Sequence, residues 1–422
     1  MKKKRRWLYV IVGVAVLLFA GMVYAWSVLS GPIADEFPQW TTAQLSMTFT
    51  LVMILFCLGG LVGGLLTEKV SQKVYLWVSA ALFLTGFLLS SRIHSLWELY
   101  ISFGVVCGFA SGFAYNAVLA TVGKWFPDKP GLISGILLMG FGFSSFLVGK
   151  LYQLFTPATV GAWRKSFVVL GIVTAACMGL CGFFLEKPGD DFRPPLPSAK
   201  KHAIVNPVAS ESTTVRMLQH PTFWLFYLWA TLLSAAGIAM VSQASGIARE
   251  VGTNINPGTI ASVVGMMSIF NGIGRVLLGG LYDRKGRSVT MQMVNALFLL
   301  TCTILVVALR QGNFLLLVLG FALAGLAYGG VTPTNAAFIS SYYGMKNYAL
   351  NLPVVVTNLI FASFGSTIAG ALYDTTGSYM STYLMVGCLA VVSIVISCTI
   401  GLRDARELRQ RETDGQDLTK PE

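Results

Sequence analysis

Apolar residues run in long stretches along the chain, and short polar or glycine- and proline-bearing segments interrupt them. Each stretch is near the roughly 20 residues that an α-helix needs to cross a bilayer. Composition agrees, because 55% of the residues are hydrophobic and only 11% are charged. We therefore predict twelve membrane-spanning helices. The predicted spans are residues 8–30, 44–66, 74–91, 97–122, 131–154, 166–185, 222–246, 257–282, 288–309, 314–340, 349–372 and 380–402.

A proline-rich and charged segment, residues 186–221, separates the first six spans from the last six. Such composition is typical of a linker, here with one short helix near residues 213–219. The predicted fold class is an all-α integral membrane protein with two six-helix bundles. The predicted divisions are bundle 1–185, cytoplasmic linker 186–221, bundle 222–402 and cytoplasmic tail 403–422.

The formal net charge of +12 reflects topology. Most Lys and Arg residues fall in the loops on the side of the N terminus, and cytoplasmic loops carry such an excess. We therefore predict a multi-pass protein of the plasma (inner) membrane with both termini in the cytoplasm. The bilayer explains the charge, so no nucleic-acid partner is expected. The basic residues assigned to the other side are Arg92, Lys150, Arg164, Lys165, Arg249 and Arg310.

Candidate catalytic chemistry is scarce in the spans. The seven cysteines fall in apolar runs, the three histidines lie in loops or at span ends, and no Asp or Glu lies in the interior of a span. This argues against a metal site, a cofactor and an intramembrane enzyme. The glycine clusters at 59–64 and 104–112 lack the lysine of a phosphate loop. They predict close helix packing, and no nucleotide is expected.

One arginine is the exception within the apolar runs. Arg275 lies well inside the span 257–282, where an arginine costs about 2.5–3.5 kcal/mol to insert. Such a charge marks a functional site by default. Asn271 lies one helical turn earlier on the same face. The pair predicts an anion-binding group, and the alternative is that Arg275 extends to the membrane surface as an anchor.

The two halves of the chain repeat one another at an offset of about 215 residues. The segment 64–73 corresponds to 279–287, Tyr115 corresponds to Tyr328, and the block 125–129 corresponds to 342–346. Internal repeats of this kind are typical of membrane transporters.

Residues 279–287 read Gly-x-Leu-x-Asp-Arg-x-Gly-Arg, which resembles the loop motif of the major facilitator superfamily. A degraded copy lies at 64–73, and a partial echo at 370–377 contains Asp374. A carboxylate at a helix end can cap a neighbouring helix and pair with the following arginine. The resemblance implies a latch between the bundles, and the alternative is a solvated loop. The implied gate residues are Asp283, Arg284, Arg287, Glu68 and Lys69.

The resemblance narrows to the oxalate/formate antiporter family and its monocarboxylate-transporter relatives. It rests on Tyr-Ala-Trp-Ser-Val at 24–28, Trp-Phe-Pro-Asp-Lys at 125–129, and the Asn271–Arg275 pair. It implies that Arg275 binds the carboxylate of a small organic anion. The further implied ligands are Asn271, Tyr115, Asn116, Tyr328, Tyr24 and Trp26. For the tyrosines and Trp26, the alternatives are interhelical hydrogen bonds or an interfacial belt.

Two departures from that family shape the expected function. Its oxalate carriers place a lysine in span eleven, and here residues 351–360 contain none. Its proton-coupled relatives place an aspartate where this chain has Asn271. We therefore expect a secondary transporter, functional as a monomer, that exchanges small carboxylates by alternating access. The alternative is a proton-coupled lactate or pyruvate symporter, and a non-transporting sensor of the same fold also stays open.

Overall fold

The computed structural model describes residues 2–66, 70–126, 130–157, 159–188, 212–252, 255–344 and 347–413. Those residues form helices joined by short turns and contain no strand. Most of the predicted linker lies outside them. Eleven continuous helical stretches in this part of the chain are long and apolar enough to cross a membrane. One of them, Gly258–Gln311, has 54 residues and spans two crossings.

The first six crossings are labelled α1 to α6, and two of them depart from regular α-helix. The bounds are α1 Lys2–Ala20, continued by a 3-10 turn at Gly21–Ala25 and a last turn at Trp26–Leu29; α2 Thr42–Leu66; α3 Gln72–Ser90; α4 Leu96–Leu99, a π-helix at Tyr100–Cys107, and Gly108–Trp125; α5 Pro130–Phe155; and α6 Trp163–Phe184. A short helix, Gly31–Glu36, joins α1 to α2.

The last six crossings are labelled α7 to α12. The bounds are α7 Pro221–Val251; α8 and α9 within Pro257–Gln311; α10 Phe314–Tyr343; α11 Tyr348–Val356, Asn358–Ala362 and Phe364–Thr376; and α12 Met380–Thr413. The chain turns from α8 (257–285) into α9 (287–311) at Gly286, whose φ of 77° is the left-handed conformation that glycine favours. The short helix predicted before α7 is present at Thr214–Gln219.

Twelve crossings leave both ends of the described chain on one side, which we name the terminal side; the other is the opposite side. Helix α12 runs to Thr413, so the first part of the predicted tail is helical. Very close helix pairs occur at corresponding places in the two halves. A Cβ on Gly112 would collide with the Phe56 backbone in α2, and one on Gly329 would collide with the Asn271 backbone in α8. The repeat in the sequence is thus a repeat of packing.

The two halves meet along two seams. Helix α5 lies against α8, and α2 lies against α11. At the first seam a Cβ on Gly142 would come within 3.3 Å of the Ser268 carbonyl oxygen. At the second, the Thr50 hydroxyl donates to the Ser363 carbonyl at 2.9 Å. These seams enclose the middle of the molecule.

A carboxylate at the end of the short helix between α1 and α2 holds the first half together on the opposite side. Glu36 accepts hydrogen bonds from the Trp163 indole at 2.6 Å and from the Arg164 guanidinium at 2.7 Å. Arg164 also donates to the Ser91 carbonyl at the end of α3. Partial burial by itself raises the pKa of the Glu36 carboxyl, but the bonds from Arg164 and Trp163 outweigh it and hold the pKa below its usual range.

We predict that Glu36→Gln lowers the stability of the purified protein by about 1–2 kcal/mol at pH 7, because hydrogen bonds to an ionised carboxylate are lost. A lowered pKa contributes stability that is present above the unfolded pKa near 4.5 and disappears as pH falls through the folded pKa. The difference between wild type and variant in thermal unfolding should therefore shrink below pH 4.5.

The matched control is Glu186→Gln, because the Glu186–Lys73 ion pair is 55% and 41% exposed and should add little. Equal melting temperatures for wild type and Glu36→Gln at pH 7 would contradict the assignment.

Candidate functional site

The Arg275 guanidinium lies in the interior of the molecule, between the halves. Its Nε donates to Asn271 Oδ1 at 3.0 Å, one turn earlier on α8. The two residues are 5% and 6% exposed. Arg275 therefore does not extend to the surface as an anchor. Among the described residues, no carboxylate lies within ion-pair distance of Arg275.

A small cavity of about 10 Å³ lies beside this pair. That volume is close to the minimum that holds one water molecule. The lining comes from α1, α5, α7 and α8, so both halves contribute. The lining residues are Tyr24, Gly142, Val241, Met267, Ser268, Asn271 and Arg275.

Three tyrosines converge on the Arg275 charge. Tyr24 from α1, Tyr115 from α4 and Tyr328 from α10 all lie close enough to interact with it electrostatically. The Tyr24 and Tyr328 hydroxyls are 3.1 Å apart and form a hydrogen bond across the halves. A tyrosine hydroxyl can donate to a carboxylate while its ring excludes water.

Phenylalanine rings fill the space between these tyrosines. Phe141 contacts the rings of Tyr24 and Tyr115, each at 5.4 Å between centroids and near a right angle. Phe56 contacts both Tyr115 and Phe141. The rings place apolar surface around the tyrosines, and a low local dielectric strengthens the attraction of a guanidinium for an anion.

Local backbone features place these side chains. The 3-10 turn at Gly21–Ala25 carries Tyr24 and lies where a Cβ on Gly21 would collide with the Phe141 backbone. In α7, a Cβ on Gly237 would collide with the Tyr328 ring, so the glycine provides the space that the ring occupies. The tyrosine positions therefore depend on close backbone approach as well as on helix register.

Two residues predicted as ligands do not join this group. Trp26 is 1% exposed, donates from Nε1 to the Leu45 carbonyl at 3.2 Å and packs on Phe103. Asn116 donates from Nδ2 to the Gly60 carbonyl at 2.9 Å. Both form interhelical contacts within the first half. Trp26 is buried, so it does not belong to an interfacial belt either.

Sequence reasoning missed Phe141, Phe56 and Ser268. Phenylalanines in a membrane protein usually face lipid or pack between helices, so Phe56 carries no signal. Ser268 lies one turn before Asn271 on the face of Arg275, so helical spacing could have found it. Phe141 carries a weak signal, since it stands between Gly140 and Gly142. An aromatic residue between two glycines can project where helices approach closely.

The predicted gate residues on the terminal side are arranged differently from the expectation. Asp283 and Arg284 are exposed, and neither forms a hydrogen bond or ion pair within the described part of the chain. Arg287 is 8% exposed and binds the Asp404 carboxylate and the Tyr342 hydroxyl, the latter at 2.8 Å. This contact joins α9, α10 and α12 within one half. Glu68 and Lys69 lie outside the described residues.

The carboxylate cap expected of Asp283 is made instead by Asp374, on the opposite side. Its two oxygens accept from the backbone N–H of Thr42 at 3.1 Å and of Ala43 at 2.9 Å. These amides begin α2, so a helix end in one half is capped by a carboxylate from the other. Gly370 allows the approach, because a Cβ there would lie 2.9 Å from the Ala43 Cα.

We predict that Asp374→Asn loosens this contact between the halves. An amide offers only one acceptor oxygen and no charge for the positive end of α2, so about 1 kcal/mol of capping is lost. Amide hydrogens at the start of α2 should then exchange with deuterium about fivefold faster.

Asp35→Asn is the matched control, since Asp35 is exposed on the same side and caps no described helix. If Asp374→Asn leaves exchange in the peptide containing Thr42 and Ala43 unchanged, the cap has no energetic role.

Comparisons with known proteins match this architecture. The Major Facilitator Superfamily model matches residues 10–350 and 230–420. The oxalate:formate antiporter of Oxalobacter formigenes is 24% identical over 413 residues, which cover 96% of this chain and 94% of that protein. Monocarboxylate transporter 13 of Rattus norvegicus is 23% identical, covering 85% of this chain and 80% of that protein.

A solved structure agrees on the fold. The xylose transporter of Escherichia coli, in a partially occluded inward open conformation, superimposes with a TM-score of 0.68 at 15% identity. The match covers 93% of this chain and 97% of that one. The predicted fold class is confirmed, and so is the resemblance on which it was partly based.

Proposed function

The chain belongs to the Major Facilitator Superfamily and is a membrane transporter, not an enzyme, and we propose that it exchanges small organic monocarboxylates by alternating access. The observation that carries this proposal is the buried Arg275 guanidinium, which has no carboxylate partner among the described residues. A buried cation of this kind attracts an anion, and a carboxylate matches the planar fork of its N–H donors.

The surroundings of Arg275 favour one carboxylate over two. Asn271 holds Nε, which leaves the terminal nitrogens of Arg275 for the substrate. Tyr24, Tyr115 and Tyr328 supply hydroxyls, and the phenylalanines supply apolar surface. No other described cation lines the cavity beside Arg275. A second carboxylate, as in oxalate, would lose its hydration without gaining a cation.

The contacts between the halves support alternating access. On the opposite side, Asp374 caps α2, and Gln243 of α7 donates to the Ser46 hydroxyl of α2 at 2.6 Å. The two tyrosine hydroxyls join α1 to α10 at the level of the site. When the halves separate on that side, each of these bonds breaks while each half keeps its own packing. The site would then open on one side at a time.

Exchange follows from the charge at the site. Without substrate, an unneutralised guanidinium would be carried through the closed state, whereas a bound carboxylate neutralises it. The loaded carrier therefore reorients more easily than the empty one. A dedicated proton relay would need a carboxylate or histidine at this depth, and the described cavity lining contains neither.

The carrier works as a monomer in the plasma (inner) membrane, and the terminal side faces the cytoplasm. It uses no cofactor, metal or nucleotide.

We test the proposal by uptake of labelled lactate, pyruvate, formate and oxalate into proteoliposomes, with protein-free vesicles as the control. Each anion is tested with and without unlabelled anion inside, a pH gradient and a membrane potential. We expect monocarboxylate uptake to need internal monocarboxylate and to ignore both gradients, because exchange of two monovalent anions is electroneutral. Oxalate should be a poor substrate.

Uptake into empty vesicles driven by an inward proton gradient would contradict exchange and establish the symporter instead. Oxalate uptake as fast as that of lactate would contradict the assignment of a single-carboxylate site.

A further inference from the structure

A second cavity lies on the opposite side of the molecule and is much larger than the one beside Arg275, at about 560 Å³. We name it the mouth cavity. It lies where α1, α5, α7 and α8 end or begin, and these four helices also line the small cavity. Its lining includes Val28, Asp35, Lys150, Arg249 and Gly258.

The two cavities follow one another along the seam between the halves. From Gly142 to Lys150 in α5, and from Val241 to Arg249 in α7, the chain advances eight residues. At 1.5 Å per residue this separates the levels of the cavities by about 12 Å. The mouth cavity thus lies about two helical turns from the level of the small cavity, toward the opposite side.

The mouth cavity carries a cation from each half. Lys150 reaches across the seam and donates from Nζ to the Gly258 carbonyl at 2.9 Å. An ammonium has three N–H donors, so two remain for an anion. Arg249, at the end of α7, is exposed and lies beside Gly31. The acidic side chain in the lining is Asp35, which is exposed. The lining therefore has one more positive than negative charge.

Packed side chains separate the two cavities. Phe146 of α5 presses against Gly265 of α8, where a Cβ would collide with its ring. Beside Lys150, Val28 of α1 packs at 3.6 Å from the position a Cβ would take on Gly149 of α5, within the first half. The Phe146 contact crosses the seam, so separating α5 from α8 on this side would move Phe146 away from Gly265 and open the mouth cavity toward Arg275.

We propose that the mouth cavity is a capture site for the transported carboxylate, where Lys150 and Arg249 hold the anion before the seam opens. The proposal rests on the proposed function. Its cations are partly solvated, so binding there is weaker than at Arg275 and sensitive to salt. The capture site raises the local concentration of anion at the entrance.

The experiment measures monocarboxylate exchange in vesicles with one orientation of the carrier, established by protease access to a C-terminal tag. Substrate is added on the opposite side. Lys150→Gln and Arg249→Gln should each raise the half-saturation concentration about 3- to 10-fold and leave the maximal rate within about twofold. The half-saturation concentration of wild type should rise with salt, and this rise should be smaller in the variant that carries both Lys150→Gln and Arg249→Gln.

The matched controls are Lys165→Gln and Arg310→Gln, which remove the same charges from exposed positions outside the cavity. They should behave as wild type. If only Lys150→Gln raises the half-saturation concentration, the effect comes from loss of its bond to Gly258, and the capture site is overturned. The capture site is also overturned if Lys150→Gln, Arg249→Gln and the two controls all have the same half-saturation concentration.

Two further outcomes are decisive. The assay runs in phosphatidylcholine vesicles with and without phosphatidylglycerol, and an effect confined to the anionic lipid would make the cavity a lipid-headgroup site and overturn the proposal. If wild type exchanges no carboxylate at all, the proposed function fails and the capture site fails with it. Normal wild-type exchange with unaffected variants overturns only the capture site.

Discussion

Holding the Arg275 charge away from water costs free energy, and the structure at the centre of the molecule depends on how that cost is offset. Inserting an arginine at the middle of a membrane helix costs several kcal/mol, and burial inside the protein leaves Arg275 only 5% exposed. One hydrogen bond to Asn271 compensates a small part of that cost. An anion can offset the remaining cost, because a bound carboxylate would replace the hydrogen bonds that water no longer makes to the guanidinium. Phe56 and Phe141, which pack on the tyrosines near this site, strengthen the attraction because they keep the local dielectric low.

The two sides of the molecule are fastened in different ways. On the terminal side, Arg287, Tyr342 and Asp404 form a cluster within one half. On the opposite side, Asp374 joins one half to the start of α2 in the other. A contact within a half stiffens a moving body, whereas a contact between halves selects which side is closed. The partial third copy of the loop motif thus lies where the bundles meet, whereas the best-preserved copy forms no hydrogen bond or ion pair to the other half among the described residues.

The sequence predicted the crossings and the Arg275–Asn271 pair because both depend on local periodicity. Trp26 was predicted as a ligand together with Tyr24, but residues two apart on a helix do not face the same way. Because Tyr24 faces the site, Trp26 faces away from it. Asn116 is similarly rotated away from its neighbour Tyr115. The partner of Arg287 lies more than a hundred residues later, and the place of Phe141 depends on packing across three helices. Neither follows from spacing along the chain.

A binding measurement tests the role of Arg275 in holding the substrate carboxylate more directly than flux does, because gating does not contribute to binding. A ligand that binds the folded protein raises its melting temperature, so the measurement is thermal unfolding of purified protein at increasing pyruvate or lactate. The matched control is Arg284→Gln, an exposed arginine on the same helix. We predict that wild type and Arg284→Gln are stabilised by the anion, while Arg275→Gln folds but shows no shift. Stabilisation of Arg275→Gln equal to that of wild type would contradict the account.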